Sequence, residues 1–137
     1  MISFNYETDF ELNNETAFIK WVSLIITSEN KKEGDINYVF CDDNYLQKIN
    51  MEYLLHDTLT DIISFDYSLG NELHGDIFIS VEMVRENAVD YNVPFDEELK
   101  RVMSHGILHY CGYKDKNEKD SEIMRNKEDE KIVLFQI

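Results

Sequence analysis

The sequence predicts an α+β fold: one domain, residues 1–137, of four strands and about five helices, with a metal site at the end of a buried helix. Three observations carry that expectation. Apolar and polar residues alternate at 2–6 and 36–41 and two further short segments read as strands, five other segments read as helices, and His105 and His109 stand four apart just before Gly112. A chain of 137 residues is long enough to bury most of its apolar surface without disulfides.

Ile2, Phe4 and Tyr6 alternate with Ser3 and Asn5, which predicts a first strand. Asn13 or Asn14 caps a helix whose Ala17, Phe18, Trp21, Val22, Leu24 and Ile25 recur at helical spacing, and Gly34-Asp35 breaks it. Ile36 to Cys41 is a second strand, rich in β-favouring residues. Asp42 caps a second helix marked by Tyr45, Leu46, Ile49 and Tyr53. Thr60 to Asp66 is the third strand, Tyr67 to Glu72 a loop containing Gly70-Asn71, and Asp76 to Ser80 the fourth strand; His74 falls between them as a loop residue. A short loop between two strands implies an antiparallel pair. Ser80 caps a third helix through Tyr91, carrying Val81, Val84 and Ala88 on one face, and Pro94 ends it. Asp96-Glu97-Glu98 opens the fourth helix with negative charge where the helix dipole favours it. That helix is apolar on most sides at Val102, Met103, Ile107, Leu108 and Tyr110, so it is expected in the middle of the domain. A charged helix over Asp120 to Lys131, with Ile123 and Met124 inward, leads to the apolar Val133-Leu134-Phe135.

Composition narrows the class of function. No apolar run approaches the ~20 residues of a membrane span, and the start Met-Ile-Ser-Phe-Asn-Tyr-Glu lacks the form of a signal peptide. A soluble intracellular protein is expected, with Cys41 and Cys111 as reduced, packed thiols. The net charge of −15 opposes binding to a polyanion. Its distribution softens that: residues 1–113 carry 7 basic and 21 acidic side chains, residues 114–137 carry 6 and 7. The tail is therefore the least repulsive region for nucleic acid, although such mixed charge also reads as a solvated helix face.

Ser104 to Asp115 holds the chemistry. Side chains four apart stack on one helix face, so His105 and His109 reach one metal ion; Gly112 permits the left-handed turn that ends a helix, and Asp115 follows. Two imidazoles and a carboxylate suit zinc or a similar divalent ion, one per chain, with a fourth position open to water. His-x-x-x-His-x-x-Gly-x-x-Asp is also the spacing of the extended zinc-protease helix, but Gly106 stands where that helix has its glutamate base. The metal scaffold is kept and the peptidase chemistry is not.

These residues resemble the YbeY family, bacterial metal-dependent endoribonucleases and rRNA maturation factors. His-Gly-Ile-Leu-His-Tyr-Cys-Gly-Tyr at 105–113 matches its signature. Asn50, Tyr53 and Asp57, then Thr60-Asp61-Ile62-Ile63-Ser64-Phe65, then Gly75-Asp76-Ile77-Phe78-Ile79-Ser80, agree in the same order. The resemblance implies a mixed four-stranded sheet, a zinc ion (Zn2+) held by three residues in a cleft, and cytoplasmic 16S rRNA 3′-end maturation and ribosome quality control. The partners implied are RNA, as the 16S rRNA precursor, and the ribosome or small-subunit assembly factors. By position His105 and His109 are the first two ligands. The third position, usually histidine, is Asp115, preceded by Lys114 where the family usually has aspartate. An anionic ligand is expected to reduce the Lewis acidity of the ion relative to a third imidazole. Leu54 stands where the family usually has arginine, and Leu59 where it has proline. An arginine there would be suited to hold a scissile phosphate. His56, Lys114 and Lys116 are the candidate substitutes, each also an ordinary surface side chain.

The expected activity is a metal-dependent cut in single-stranded RNA, with Thr60, Asp61 and Ser64 on a strand flanking the ion or, equally, serving as structural hydrogen-bonding groups. No residue stands out in the sequence as the general base, and either water or a ribose 2′-hydroxyl is a chemically competent nucleophile. The alternatives are a ribosome-biogenesis binding factor with a mainly structural metal and a hydrolase of a small phosphorylated or amide substrate.

Overall fold

The structure, a computed structural model, describes residues 1–54 and 60–135. The expectations placed on His56, Asp57 and Leu59, and on the side chain of Leu54, lie outside the described residues.

The elements follow in the order β1 (Ile2–Tyr6), α1 (Glu15–Ser28), β2 (Lys32–Cys41), α2 (Asp43–Ile49), β3 (Ile62–Asp66), β4 (Glu72–Ser80), α3 (Val81–Asp90), α4 (Phe95–Tyr110) and α5 (Glu118–Val133). The sheet order is β1-β2-β4-β3. β1 and β4 run parallel to β2, and β3 pairs antiparallel with β4, so the sheet is mixed and the short β3–β4 connection gives the expected antiparallel pair.

Side-chain alternation sends the two faces of the sheet to different partners. Ile36, Tyr38 and Phe40 of β2 and Leu73, Ile77 and Ile79 of β4 join α1 and α4 in the main core. Ile63, Phe65 and Phe78 point the other way, to Leu46, Tyr45 and Ile49 of α2. Trp21 on α1 donates its indole N–H to the Lys131 carbonyl at 2.7 Å, fastening α5 across α1, and the Tyr38 hydroxyl donates to the Met103 carbonyl of α4 at 2.9 Å. The caps are largely as expected: Asn14, Asp42 and Ser80 each accept from the backbone N–H three residues on.

Several boundaries differ from the expectation. β2 begins at Lys32 and passes through Gly34. A side chain at Gly34 would overlap the Leu73 carbonyl and the His74 ring, so this glycine serves close strand approach at a register irregularity rather than ending an element. β4 begins at Glu72, and His74 is a strand residue whose Nδ1 accepts from the Asp35 backbone N–H at 3.0 Å. The second helix is α-helical only to Ile49 and continues as a π turn over Asn50–Leu54. Strand β3 starts at Ile62, leaving Thr60 and Asp61 before it. On α5, Met124 is buried but Ile123 is 43% exposed, because the inward face is shared with Glu128 and Lys131, both charged and both buried.

Helix α4 lies in the middle, as its apolar perimeter predicts: Leu99, Met103, Ile107 and Leu108 are at most 1% exposed. Each such side chain stabilises the fold by roughly 1.5–3 kcal/mol relative to exposure. A Cβ at Gly106 would meet Ile77 and Ile62 at 3.0 and 3.3 Å. The residue after the first histidine thus faces the sheet, and a longer side chain there would need the core to move.

Candidate metal centre

Two rings and one carboxylate converge beyond the last turn of α4. His105 Nε2 and His109 Nε2 are 2.9 Å apart, and Asp115 Oδ2 lies 3.2 Å from the first and 3.6 Å from the second. Gly112 has φ +103°, a backbone that side chains resist, and this turn brings Asp115 back over the rings.

The far side of each ring fixes what these nitrogens can do. His105 Nδ1–H donates to Glu128 Oε2 at 2.6 Å, and His109 Nδ1–H donates to the Tyr113 carbonyl at 3.0 Å. Carboxylate and carbonyl oxygens only accept, so both Nδ1 atoms carry hydrogen and both Nε2 atoms turn lone pairs toward the carboxylate of Asp115. Three acceptors facing one another require a proton or a cation between them. The circle through the three atoms has a radius of about 1.9 Å, just inside the ~2.0–2.1 Å of zinc–nitrogen and zinc–oxygen bonds, so an ion fits slightly off their plane. His105, His109 and Asp115 therefore form a group that could hold a metal ion. The bonds from Glu128 and Tyr113 are the outer contacts that orient such ligands and raise their basicity.

Electrostatics follow the same division. Burial opposes charge on His105, but the Glu128 hydrogen bond and charge, followed by Asp115 and Asp61, raise its pKa on balance. His109 is lowered, by burial first and then by His105. Glu128 thus favours positive charge on His105, while burial and the neighbouring ring oppose it on His109. Cys111, although two residues from His109, packs against the main core and does not line the cleft, and burial pushes its thiol up to about 11.

The group opens into a cleft of about 360 Å³ that Thr60, Asp61 and Ser64 also line. The expected flanking residues are thus brought to the histidines. Thr60 donates to the Ile62 carbonyl at 3.2 Å, a structural bond, whereas the Asp61 carboxylate receives Asn87 Nδ2 at 3.3 Å and makes no ion pair among the described residues. Burial raises the Asp61 pKa, opposed mainly by His105. Lys114 and Lys116 are exposed between α4 and α5, and the cleft is lined without them.

Sequence reasoning missed Glu128, Arg101, Arg125, Glu98 and Tyr91, which complete the cleft. Arg101 bridges Glu128 at 3.1 Å and Asp129 at 2.6 Å, holding α5 so that Glu128 meets His105. Four carboxylates, Asp61, Glu98, Asp115 and Glu128, line the cleft with two guanidiniums. A divalent cation brings that formal charge to neutrality, and this supports the fit.

Comparison with known proteins gives the family. The family model described as Endoribonuclease YbeY matches residues 2–135. A protein of Flavobacterium psychrophilum named Endoribonuclease YbeY is 70% identical over 137 residues, covering 100% of this chain and 98% of the relative. Its namesake in Christiangramia forsetii is 61% identical, covering 99% and 95%. A structure from Thermotoga maritima determined in solution superposes with a TM-score of 0.72 at 26% identity, covering 98% of this chain and 89% of that one. With the family model spanning nearly every residue and close relatives matched end to end, the chain belongs to the YbeY endoribonuclease family.

Proposed function

We propose that this protein is a zinc-dependent endoribonuclease specific for single strands, acting in the cytoplasm in 16S rRNA 3′-end maturation and ribosome quality control. Its partners in this reading are the 16S rRNA precursor and the ribosome or small-subunit assembly factors, and family membership supports that setting. The observation that carries the catalytic part is the meeting of His105, His109 and Asp115 at the floor of an open cleft, with both Nδ1 atoms already engaged elsewhere. Among the described residues no helix is long and apolar enough to cross a membrane.

When bound, zinc supplies Lewis acidity toward a phosphate oxygen and lowers the pKa of a coordinated water. The rest of the work falls to the chain. Glu128 and the Tyr113 carbonyl keep the two rings in one tautomer and orientation. Asp61 is a cleft carboxylate that makes no ion pair among the described residues, oriented by Asn87 and made more basic by burial, which suits it to take the proton of the attacking hydroxyl. Tyr91, 57% exposed on the cleft wall, offers a ring on which an unpaired base stacks; bases inside a duplex are not free to do so.

The test is cleavage by zinc-loaded protein of matched single-stranded and duplex RNA, together with mapping of 16S rRNA 3′ ends in cells. Cleavage of the single strand alone, abolished by His105→Ala, is expected. Intact RNA, with normal 16S ends supported by the His105→Ala protein, would replace this reading with a ribosome-assembly binding factor holding a structural ion.

A further inference from the structure

We propose that Arg125 is the phosphate-holding residue of this protein: its guanidinium grips an RNA phosphodiester that passes the His105–Asp115 edge of the metal centre. The inference rests on the RNA-cleaving reading above and adds the residue that receives the substrate backbone.

Two guanidiniums line the cleft, and only one is free. Arg101 is 16% exposed and committed to Glu128 and Asp129. Releasing it would loosen the helix that orients His105. Arg125 is exposed and makes no ion pair among the described residues; the electrostatic partner on which it acts is Glu98, a carboxylate buried at 3% exposure. Such a guanidinium keeps its full donor fork for a ligand from solvent, and the planar fork matches two phosphate oxygens at once.

Its position adds a direction. Arg125 stands three residues before Glu128 on α5, so the two side chains share a helix face, and Glu128 is bonded to the first ligand. Arg125 lines the main cleft and also a second, shallower one of about 500 Å³ beside Glu118, Ser121 and Glu122. His105, Asp115 and Glu128 line both as well. Arg125 therefore sits on the divide between two grooves that meet at the metal centre, and a strand running from one groove to the other crosses the guanidinium and the centre together. Neither groove is lined by a lysine. On a chain of net charge −15 this is where a polyanion finds a cation that no ion pair or hydrogen bond holds among the described residues.

The full chain is tested as Arg125→Ala and Arg125→Lys. Arg125→Lys keeps a positive charge opposite Glu98, so its thermal midpoint and its zinc affinity by chelator competition are expected to match the parent. Binding of metal-free protein to a short labelled single-stranded RNA, followed by anisotropy across a salt series, should weaken about tenfold or more for Arg125→Ala. The slope of log affinity against log salt should fall by about 0.7, the signature of one lost phosphate contact. Cleavage by the loaded variant should drop by a similar factor, with partial recovery in Arg125→Lys, which restores charge without the fork. An unchanged salt slope in Arg125→Ala overturns the inference, as does parent protein that binds no RNA at low salt. If the parent cleaves RNA and Arg125→Ala does so equally well, the inference falls while the nuclease reading stands. If the parent binds without cleaving and the slope still changes, the nuclease reading falls and Arg125 remains the phosphate contact.

Discussion

Replacing Glu128 by glutamine tests whether the metal centre depends on a residue that never touches the ion. The side chain keeps its shape and loses its charge. In the parent, Glu128 Oε2 accepts from His105 Nδ1 at 2.6 Å, and Oε1 holds Arg101 at 3.1 Å. The carboxylate is 7% exposed, so little solvent screens either bond. Loss of such an orienting carboxylate lowers metal affinity by about 10- to 100-fold, or roughly 1.4–2.7 kcal/mol. The sign of the pH dependence is separately fixed. Glu128 raises the His105 pKa, so in the parent protons compete with the ion from a higher pH than at an ordinary imidazole. The variant loses that competition along with the basicity. Its affinity deficit should therefore be largest near neutral pH and shrink as pH falls through the raised His105 pKa. Chelator competition at several pH values measures both effects, with circular dichroism confirming the fold. An affinity within twofold of the parent, or a deficit that does not vary with pH, would refute the reasoning.

Glu29, 11% exposed, pairs at 2.6 Å with Lys131, 2% exposed, which also holds Glu130 at 2.7 Å, so Glu29→Gln should cost about 1–3 kcal/mol at pH 7. Burial opposes charge on Glu29, but Lys131 and Tyr113 lower its pKa on balance, so its contribution is full above the ordinary carboxylate range and is lost as pH falls through the depressed value. Urea unfolding of the two proteins should show the gap narrowing below about pH 4.5; a constant gap would contradict the pairing. Asp61→Asn should lower the rate of RNA cleavage about 10²- to 10⁴-fold with zinc content unchanged. A parent-like rate would remove Asp61 as the base. Tyr91→Ala should weaken single-stranded RNA binding by about 1–3 kcal/mol while leaving zinc affinity intact, as judged by anisotropy. Equal binding would show that no base stacks there.

What was legible in the sequence was local. The four-residue spacing of His105 and His109, the glycine turn at 112 and the capping residues act within one helix or its end, where spacing alone fixes geometry. The flanking block at Thr60, Asp61 and Ser64 was also visible, although its closeness to the histidines needed the sheet. The second helix of the site was not. Glu128 meets His105 across 23 positions, and Lys131 meets Glu29 across 102. In isolation α5 looks like a solvated helix, because its buried face is made of charges whose partners lie on α1 and α4. That is also why Ile123 was placed inward. Gly34 misled for a different reason: in sequence a glycine marks a break, whereas in the fold it lets β2 approach Leu73 of β4.

In the metal-loaded protein, two Nε2 atoms and one carboxylate oxygen are expected to clasp a single ion. Anomalous scattering at the zinc edge from crystals of zinc-loaded protein tests it most directly. One peak per chain is expected, about 2.0–2.2 Å from His105 Nε2, His109 Nε2 and an Asp115 oxygen. A peak on the Nδ1 side of either ring, or one that leaves Asp115 out of its coordination, would contradict it.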